Sequence, residues 1–259
     1  MASTAPTREL LGEERRELVL RWLAQEGKVR ATALAQRLGV SMDTVRRDLA
    51  ELADAGLLRR VHGGALPPAS PGPGSFLERL PEDVAAKAAV ARAAVGLVAP
   101  GEVVALSGGT TVLEFARALP DDLDATVLAT SPDIAVALAG HPSLTVDVVG
   151  GRLHPQARTV VGAEAVEQLR AVRPDVCVLT ACSLHPSAGL TLRHREEAAV
   201  VRAMVEGAGR VVSLATASKL GTVGPYRVAE AARIDLIVTD ASEAEVAPYR
   251  ELGIDVVFA

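Results

Sequence analysis

Two neighbouring pairs of arginines lie close together near the start of the chain, within the stretch SMDTVRRDLAELADAGLLRRVHGGA. Arg46 and Arg47 fall inside a helical pattern, whereas Arg59 and Arg60 precede a His-Gly-Gly sequence. A guanidinium group is always charged and can bind the phosphates or the base edges of nucleic acid. The two pairs therefore suggest a DNA-binding surface, although a single arginine is more often a solvated surface charge.

Helical patterns around this stretch would fix the directions in which the arginines point. Gly27 and Gly39 follow two short amphipathic patterns and are typical helix stop signals. Ser41 is a good N-cap, so we expect a third helix from about Met42 to Ala55. The apolar side chains of this helix recur at helical spacing and would turn inward: Val45, Leu49 and Leu52.

The polar residues of the third helix would lie on its outward face, near the N-terminal end, where a recognition helix meets base edges. The sequence LLRRVHGGAL then predicts a basic strand and a Gly-Gly turn, as in the wing of a winged helix, which could contact phosphates. The alternative is a set of ordinary surface ion pairs, Arg47 with Glu51 and Asp43 with Arg46. The predicted DNA-contacting residues are Ser41, Asp43, Thr44, Arg46, Arg47, Arg59, Arg60, His62, Gly63 and Gly64.

The charge of the chain is distributed unevenly along its 259 residues, which carry a net charge of −5. Residues 1 to 66 contain 11 Lys and Arg against 9 Asp and Glu, whereas the remainder contains 16 against 23. Between the two regions runs PPASPGPGS, in which Pro and Gly disfavour both helix and strand. We predict a DNA-binding domain over residues 1 to 66, a linker over residues 67 to 76 and a second domain over residues 77 to 259.

The second domain alternates short runs of Val, Leu and Ala with longer helical patterns. The chain is 49% hydrophobic but only 2% aromatic, a composition that suits helices packed on a buried parallel sheet. The strand-like runs are EVVALS, ATVLAT, LTVDVVGG, DVCVLTA, RVVSLA and IDLIVTD. The predicted fold is α/β: an N-terminal winged helix-turn-helix domain joined by a linker to a Rossmann-like, mostly parallel α/β domain.

Small, hydroxyl-bearing and basic residues follow several of these strands. Ligands of parallel α/β sheets bind at the carboxyl ends of the strands, where helix N-termini also attract anions. A phosphorylated small ligand is therefore expected there, although each turn by itself could be purely structural. The residues concerned are Ser107, Gly108, Gly109, Thr110, Thr111, Thr130, Ser131, Gly151, Arg152 and Lys219.

The two cysteines, Cys177 and Cys182, lie in an apolar stretch with His185 nearby. A metal site is conceivable, but structural zinc sites usually need four convergent ligands at tighter spacings, so buried reduced thiols are the preferred interpretation. We expect no metal and no cofactor. The sequence shows neither a leader nor an apolar run of membrane-spanning length, which predicts a soluble, cytoplasmic protein that does not bind a membrane.

The stretch ALAQRLGVSMDTVRRDLAELADAGLLRRVHGGA resembles, in order and spacing, the N-terminal module of the DeoR family of bacterial repressors. Further segments follow in the family's order: KAAVARAA, SGGTT, ATS, VVGGRL, VGAEA, SKLG and IDLIVTD. The resemblance implies a DNA-binding repressor of carbohydrate or related metabolism genes. It also implies an effector domain similar in fold to sugar-phosphate isomerases, in which the ten residues named above line the pocket for a phosphorylated sugar or related anionic metabolite.

The chain departs from the family pattern at Ser107 and Thr216, where the family usually has Asp. An acidic side chain commonly fixes sugar hydroxyls, so these departures suggest an altered ligand or weakened sensing. The segment TACSLHPSAGL also lacks the glycine-rich character that is typical of the family at that strand end.

Two other functions are compatible with parts of the sequence. An isomerase-like enzyme with an appended DNA-binding module would need a positioned base; Glu196 and Glu197 are candidates but better fit a solvated helix start. A DNA binder without sequence preference is disfavoured by the small basic surplus. We therefore expect a regulator that is not an enzyme and that binds a double-stranded DNA operator as a homodimer or homotetramer.

Overall fold

In the computed structural model, which describes residues 11 to 68 and 74 to 259, the chain divides into two units, Met1–Ala69 and Ser70–Ala259. Part of the predicted linker, residues 69 to 73, lies outside the described residues. The end of the predicted linker is structured, because Ser75 caps a helix that begins at Phe76 and Phe76 is buried. The domain boundaries drawn from the sequence otherwise stay a prediction.

The first unit is a helix-turn-helix followed by a β-hairpin. Its three strands form an antiparallel sheet in the order β1-β3-β2, and β2 with β3 forms the hairpin that we call the wing. The elements are α1 Gly12–Glu26, β1 Val29–Arg30, α2 Ala31–Leu38, α3 Met42–Asp54, β2 Arg59–Val61 and β3 Gly64–Leu66. This arrangement confirms the predicted order of helices and the predicted wing.

The bounds and the buried face of α3 follow from its sequence. Ser41 is its N-cap, and the Ser41 hydroxyl accepts a hydrogen bond of 3.1 Å from the Thr44 backbone N–H. Before it, Gly39 takes a positive φ of 65° and closes α2 in a left-handed conformation. The three apolar residues predicted to face inward, Val45, Leu49 and Leu52, are all buried in the core of the unit.

A buried ion pair joins α1 to α3. The Arg15 guanidinium donates to both carboxylate oxygens of Asp48, through Nε at 2.9 Å and through Nη2 at 3.1 Å. Asp48 is only 3% exposed, although it is flanked in sequence by the outward-facing arginines. Two parallel hydrogen bonds of this kind fix geometry as well as charge, so the pair sets how α3 lies against α1.

The second unit is a layered α/β structure. Its helices are α4 Phe76–Arg79, α5 Val84–Ala94, α6 Thr110–Ala118, α7 Pro132–Leu138, α8 Ala163–Arg170, α9 Arg195–Gly207 and α10 Glu243–Arg250. Its strands are β4 Val103–Leu106, β5 Ala125–Ala129, β6 Leu144–Val148, β7 Arg152–His154, β8 Thr159–Val161, β9 Val176–Thr180, β10 Ser183–His185, β11 Gly189–Leu192, β12 Arg210–Leu214, β13 Tyr226–Ala229, β14 Leu236–Thr239 and β15 Asp255–Phe258.

The main sheet has seven strands in the order β15-β14-β12-β9-β4-β5-β6, and every neighbouring pair is parallel. Alternate residues of a strand enter the cores on opposite faces: Val104 and Leu106 of β4 join one apolar cluster and Ala105 joins the other. All six predicted strand runs contribute to this sheet, which confirms the α/β fold class. The sequence reasoning missed β15, the hairpin of β7 with β8, and the antiparallel sheet β10-β11-β13.

The cysteines and His185 occupy structural positions. Cys177 is fully buried in β9, and burial raises the pKa of its thiol to about 12. His185 ends β10, where its Nδ1 accepts hydrogen bonds from the backbone of Ser187 and Ala188, and burial lowers its pKa to about 4. Within the described ranges, no three His, Cys, Asp or Glu side chains are grouped to hold a metal ion. In the same ranges no helix has the length and apolarity needed to cross a membrane.

Replacing Asp48 with alanine is expected to destabilise the first unit by about 1 to 3 kcal/mol, because the two charge-assisted hydrogen bonds that join α1 to α3 are lost. The measurement is chemical unfolding of the full chain followed by the fluorescence of Trp22, the single tryptophan, which packs against the core of this unit. Asp43→Ala is the control, because its ion pair with Arg46 is exposed and should contribute about 0.5 kcal/mol or less. Equal effects of the two variants would contradict the assigned role of the buried pair.

Candidate nucleic-acid interface and anion crevice

The outward face of α3 carries one arginine that is paired and one that is not. Arg46 donates to the Asp43 carboxylate at 3.1 Å, which is one of the two surface ion pairs that the sequence allowed. The other is not formed, because Glu51 binds Arg16 of α1 instead. Arg47 is exposed, and no described side chain pairs with it. Its guanidinium is therefore available to a partner outside the unit.

The wing presents a second set of basic groups. All three residues of β2 are exposed, and Arg59 and Arg60 have no ion-pair partner in the described part of the chain. His62 and Gly63 form the exposed turn, where Gly63 takes a φ of +81°. Between α3 and the wing lies a groove of about 390 Å³, which is lined by Arg46 and Arg60 from the two arginine pairs and by His62. The structure thus brings the two basic stretches to the same concave surface.

Gly64 differs from the other predicted contact residues because it is buried. It pairs with Val61 on one side and with Arg30 on the other, so it lies between two strands. A Cβ atom at this position would lie 2.0 Å from the Val29 carbonyl oxygen. This close approach explains the glycine without any contact to DNA. Ser41 and Thr44 are likewise engaged in the N-cap of α3.

In the second unit, small polar residues lie at the carboxyl ends of the central strands; we call this edge of the sheet the crevice. The Ser107 hydroxyl donates to the Gly108 carbonyl and accepts a hydrogen bond from the Thr180 backbone, both at 3.1 Å. Thr130 Oγ1 donates to the Leu106 carbonyl, and Ser131 Oγ donates to the Arg158 carbonyl at 2.7 Å. These hydroxyls therefore hold neighbouring strand ends together.

The N-terminus of α6 opens into this crevice. Thr110 and Thr111 begin the helix and are buried, and no side chain caps it. Gly109 precedes the helix with a φ of +130°, and a Cβ there would lie 2.8 Å from Thr180 Oγ1. The Thr180 Oγ1 atom is itself buried and has no hydrogen-bond partner among the described atoms. Uncapped N–H groups beside an unpartnered hydroxyl are suited to receiving an anion.

The predicted residues Gly151 and Arg152 lie at the surface. Arg152 forms a double ion pair with Glu196 of α9, at 2.6 and 2.7 Å, and this contact lowers the pKa of the Glu196 carboxyl. Any anion that bound Arg152 would have to compete with Glu196. Arg152 is thus already paired with a carboxylate, a partner that sequence reasoning did not identify.

Lys219 lies in a 3-10 turn after β12. It belongs to a group of ionisable side chains whose proximity sequence reasoning did not predict. We call this set the polar cluster; it consists of Arg79, Lys87, Cys182, Glu197 and Lys219. The Nη1 atom of Arg79 lies 4.0 Å from Cys182 Sγ, and its Nε atom is buried without a partner among the described residues. Burial lowers the pKa of Lys219, and the nearby Arg79 charge lowers it further. Two half-buried cations therefore lie near enough for the Arg79 charge to act on Lys219.

Lys87 and Glu197, two further members of the polar cluster, differ in the groups that surround them. Lys87 Nζ donates to the backbone carbonyls of Arg79 and Glu82, so it is a positioning residue for the end of α4. Burial raises the pKa of Glu197 to about 7, against the opposing effect of Arg79. A lysine on the apolar face of the KAAVARAA helix was a signal that could have identified Lys87. Arg79 lies in the sequence FLER, which carries no such signal.

Comparisons with known proteins identify the domain families of both units. A model of the DeoR-like helix-turn-helix domain matches residues 15–70, and a model of the DeoR C terminal sensor domain matches residues 82–241. The chain belongs to the DeoR family. The resemblance inferred from the sequence motifs is thereby confirmed.

Members of the DeoR family similar to this chain match it over most of its length. The HTH-type transcriptional regulator GlpR of Haloferax volcanii is 33% identical, covering 90% of this chain and 91% of its own. The HTH-type transcriptional repressor GlcR of Bacillus subtilis is 32% identical, covering 88% of each chain. A solved structure of ribose 5-phosphate isomerase A from Methanocaldococcus jannaschii aligns over 51% of this chain and 52% of its own, with 19% identity and a TM-score of 0.39.

Family membership decides between the functions that the sequence left open. DeoR-family proteins are DNA-binding transcriptional regulators, and this chain is one of them. The isomerase-like alternative is not supported. Of its two candidate bases, Glu196 is paired with Arg152.

Gly64→Ala is expected to destabilise the first unit by about 1 to 3 kcal/mol, because the added Cβ overlaps the Val29 carbonyl oxygen. Gly63→Asn is the matched control: the space around Gly63 is open, and asparagine tolerates a positive φ. Unfolding of the full chain, followed by Trp22 fluorescence, measures both. If the Gly64→Ala protein were as stable as the Gly63→Asn protein, the close packing of β3 against β1 would be contradicted.

Proposed function

We propose that the protein is a repressor of carbohydrate or related metabolism genes, controlled by a phosphorylated metabolite. In this proposal α3 contacts the bases of the operator in the major groove, and the wing contacts the phosphate backbone beside that groove. The similar protein GlcR is a transcriptional repressor by name, and this supports repression as the direction of regulation. The crevice of the second unit receives the metabolite.

The observation that supports the DNA-reading role is the set of guanidinium groups left without partners. Arg47 on α3 and Arg59 and Arg60 on β2 are exposed, and among the described residues none of them forms an ion pair. Arg46 would have to leave Asp43 to contact a base. We therefore assign base contacts first to Arg47 and phosphate contacts to Arg59, Arg60 and His62.

Symmetry is the reason to propose an oligomer. One short helix reads few base pairs, and two copies related by a twofold axis would read two half-sites about one helical turn apart. We propose a homodimer or homotetramer on that ground. Effector binding would shift the balance between oligomer geometries that fit the operator and those that do not, with a coupling of about 1 to 3 kcal/mol.

The observation that supports an anionic effector is the closeness of Arg79 and Lys219. Like charges that are partly removed from water repel each other, and the described residues supply no ion-pair partner to either. A phosphate group would neutralise both. The N–H groups at the start of α6 and the hydroxyl of Thr180 could complete such a site. We propose this place, rather than the surface around Arg152, for the phosphate.

Arg47→Ala is expected to weaken binding to the operator by about 1 to 3 kcal/mol while changing binding to random DNA much less, because a base contact discriminates sequence. Arg60→Ala should weaken binding to both DNAs alike and reduce the salt dependence by about one counterion, because a phosphate contact does not discriminate. Fluorescence anisotropy with operator and scrambled duplexes at several salt concentrations measures both. Equal losses on the two duplexes for Arg47→Ala would contradict base reading by this residue.

Lys219→Ala is expected to weaken binding of inorganic phosphate about tenfold or more, measured by isothermal titration calorimetry. Without phosphate, the same variant should be as stable as the parent or more stable, because a buried charge that repels Arg79 has been removed. Arg170→Ala, which removes an exposed cation on α8, is the control for a general charge effect. Phosphate binding that survives Lys219→Ala would place the anion elsewhere and refute this site.

A further inference from the structure

Strand β6 lies at one edge of the seven-stranded sheet, and among the described residues no strand pairs with its outer side. Just past its end, the Val149 N–H donates to the Ala129 carbonyl of β5 at 3.0 Å. The backbone groups of successive residues in a strand point alternately to its two sides. The N–H and C=O groups of Leu144, Val146 and Val148 therefore point away from β5, toward the open edge.

An apolar groove of about 320 Å³ runs between β6 and α7. Val146 and Val148 line it from the strand, and Ala139 lines it from the end of the helix. Val148 is 58% exposed, and Val136, which lies three residues before Ala139 and so on the same side of the helix, is 75% exposed. Unpaired backbone groups beside exposed valines form a surface on which another strand could pair.

The sequence of β6, LTVDV, is complementary to itself when two copies run antiparallel. With Val146 opposite Val146 of a second copy, Leu144 lies opposite Val148, and the outward N–H groups of these residues face outward carbonyls. The same register places Thr145 opposite Asp147, and both side chains are exposed. A threonine hydroxyl can donate to a carboxylate, and twofold symmetry forms that contact twice.

The neighbouring twofold registers are less favourable. A register centred on Asp147 would place two carboxylates directly opposite each other, which is repulsive. A register centred on Thr145 would place Val148 opposite Pro142, which has no N–H to donate. Hydrogen bonding and charge thus select the register centred on Val146.

We infer that β6 is the surface through which two copies of this chain associate, by antiparallel pairing of β6 with β6 about a twofold axis. The inference rests on the proposed oligomer and names the surface that forms it. The twofold axis is perpendicular to the sheet, so the two sheets continue as one and α7 of each copy lies on the same face. The two apolar grooves then adjoin, and the exposed valines are covered.

The opposite edge of the sheet, β15, is less suited to pairing with its own copy. Asp255 is the single polar residue of this strand, so self-pairing supplies no partner for its carboxylate. Phe258, its exposed aromatic residue, is already covered on one side by the Arg250 guanidinium, which lies 5.6 Å from the ring centroid. The Thr145 and Asp147 pair has no counterpart in β15.

A solvated edge is the competing explanation. An exposed charge such as Asp147 on an edge strand also discourages pairing with other chains. If that were its role, the charge of the side chain at position 145 would not affect the oligomeric state. The two explanations are therefore separated by changing the sign of that charge.

The test uses two substitutions of opposite charge at one exposed position. Thr145→Lys places an ammonium group opposite the Asp147 carboxylate of the second copy, whereas Thr145→Asp places a second carboxylate there. A third variant, Val148→Lys, puts a charge against Leu144 of the second copy. Val84→Lys is its matched control, because Val84 of α5 is 54% exposed and lies outside the groove. Sedimentation equilibrium of each full chain over a range of concentrations gives the dissociation constant of the dimer.

Thr145→Lys is expected to lower the dissociation constant of the dimer about two- to tenfold, and Thr145→Asp to raise it by at least as much. High salt should reduce the difference between these two variants. Val148→Lys should raise the constant about tenfold or more, because a lysine charge would be buried without a partner. Val84→Lys should behave as the parent does. If the parent is a tetramer, the weakening variants should dissociate it into smaller species.

An oligomeric parent whose dissociation constant responds equally to Thr145→Lys and Thr145→Asp would overturn the β6 interface and leave the proposed oligomer standing. Unchanged association of Val148→Lys would overturn the interface as well. A parent that is monomeric at every concentration would instead refute the proposed oligomer, and with it this inference. That outcome would be expected if another segment of the same chain covered the groove.

Discussion

Positive charge that the fold leaves without an anionic partner is the constraint on which both sites of this protein depend. Most arginines near the two sites are neutralised: Arg15 by Asp48, Arg16 by Glu51, Arg46 by Asp43, Arg152 by Glu196 and Arg158 by Asp133. Among the cations assigned to the two sites, those without an ion pair in the described structure fall into two groups. Arg47, Arg59 and Arg60 lie on the outer surface of the first unit, and Arg79 and Lys219 lie in the crevice of the second.

The two groups of unpaired cations differ in their exposure to solvent. The exposed group is proposed to bind a large partner, DNA, and the half-buried group a small one, a phosphate. On the first unit the guanidinium groups are in water, where an unpaired charge is tolerated and a long, highly charged DNA backbone can reach them. In the second unit Arg79 and Lys219 are partly removed from water and close together, which disfavours the ligand-free state. In the proposed function, a small anion would relieve that repulsion.

Neighbouring residues in the sequence are used for opposite purposes in both sites. In the RRDL sequence of α3, Arg47 points outward while Asp48, one residue on, is buried and holds the helix against α1. At the start of α9, Glu196 closes a surface ion pair while Glu197 turns toward the polar cluster. Helical geometry explains both, because successive residues are rotated by about 100° around the helix axis. Within each of these two pairs of neighbours, one side chain is thus committed to an ion pair while the other points in a different direction.

Local signals in the sequence determined the helix bounds, the wing and the strands of the main sheet. Caps such as Ser41 and Gly39 act within a few residues, and the apolar periodicities of 3.6 and 2 depend only on which face is buried. The same signals were sufficient to recognise the DeoR family, since its motifs are contiguous. They also predicted which strand ends share one edge of the sheet, because parallel strands present their carboxyl ends at the same edge.

Only the tertiary structure decided which charged groups are free. Arg47 and Glu51 are spaced for a helical ion pair, yet Glu51 is bound by Arg16, which lies thirty-five residues earlier in the chain. Arg79, Cys182, Glu197 and Lys219 are far apart in sequence and come near one another because α4, the segment after β9, the start of α9 and the turn after β12 approach each other in the fold. Pairing and desolvation depend on distances of a few ångströms between remote segments, and no local pattern encodes those distances.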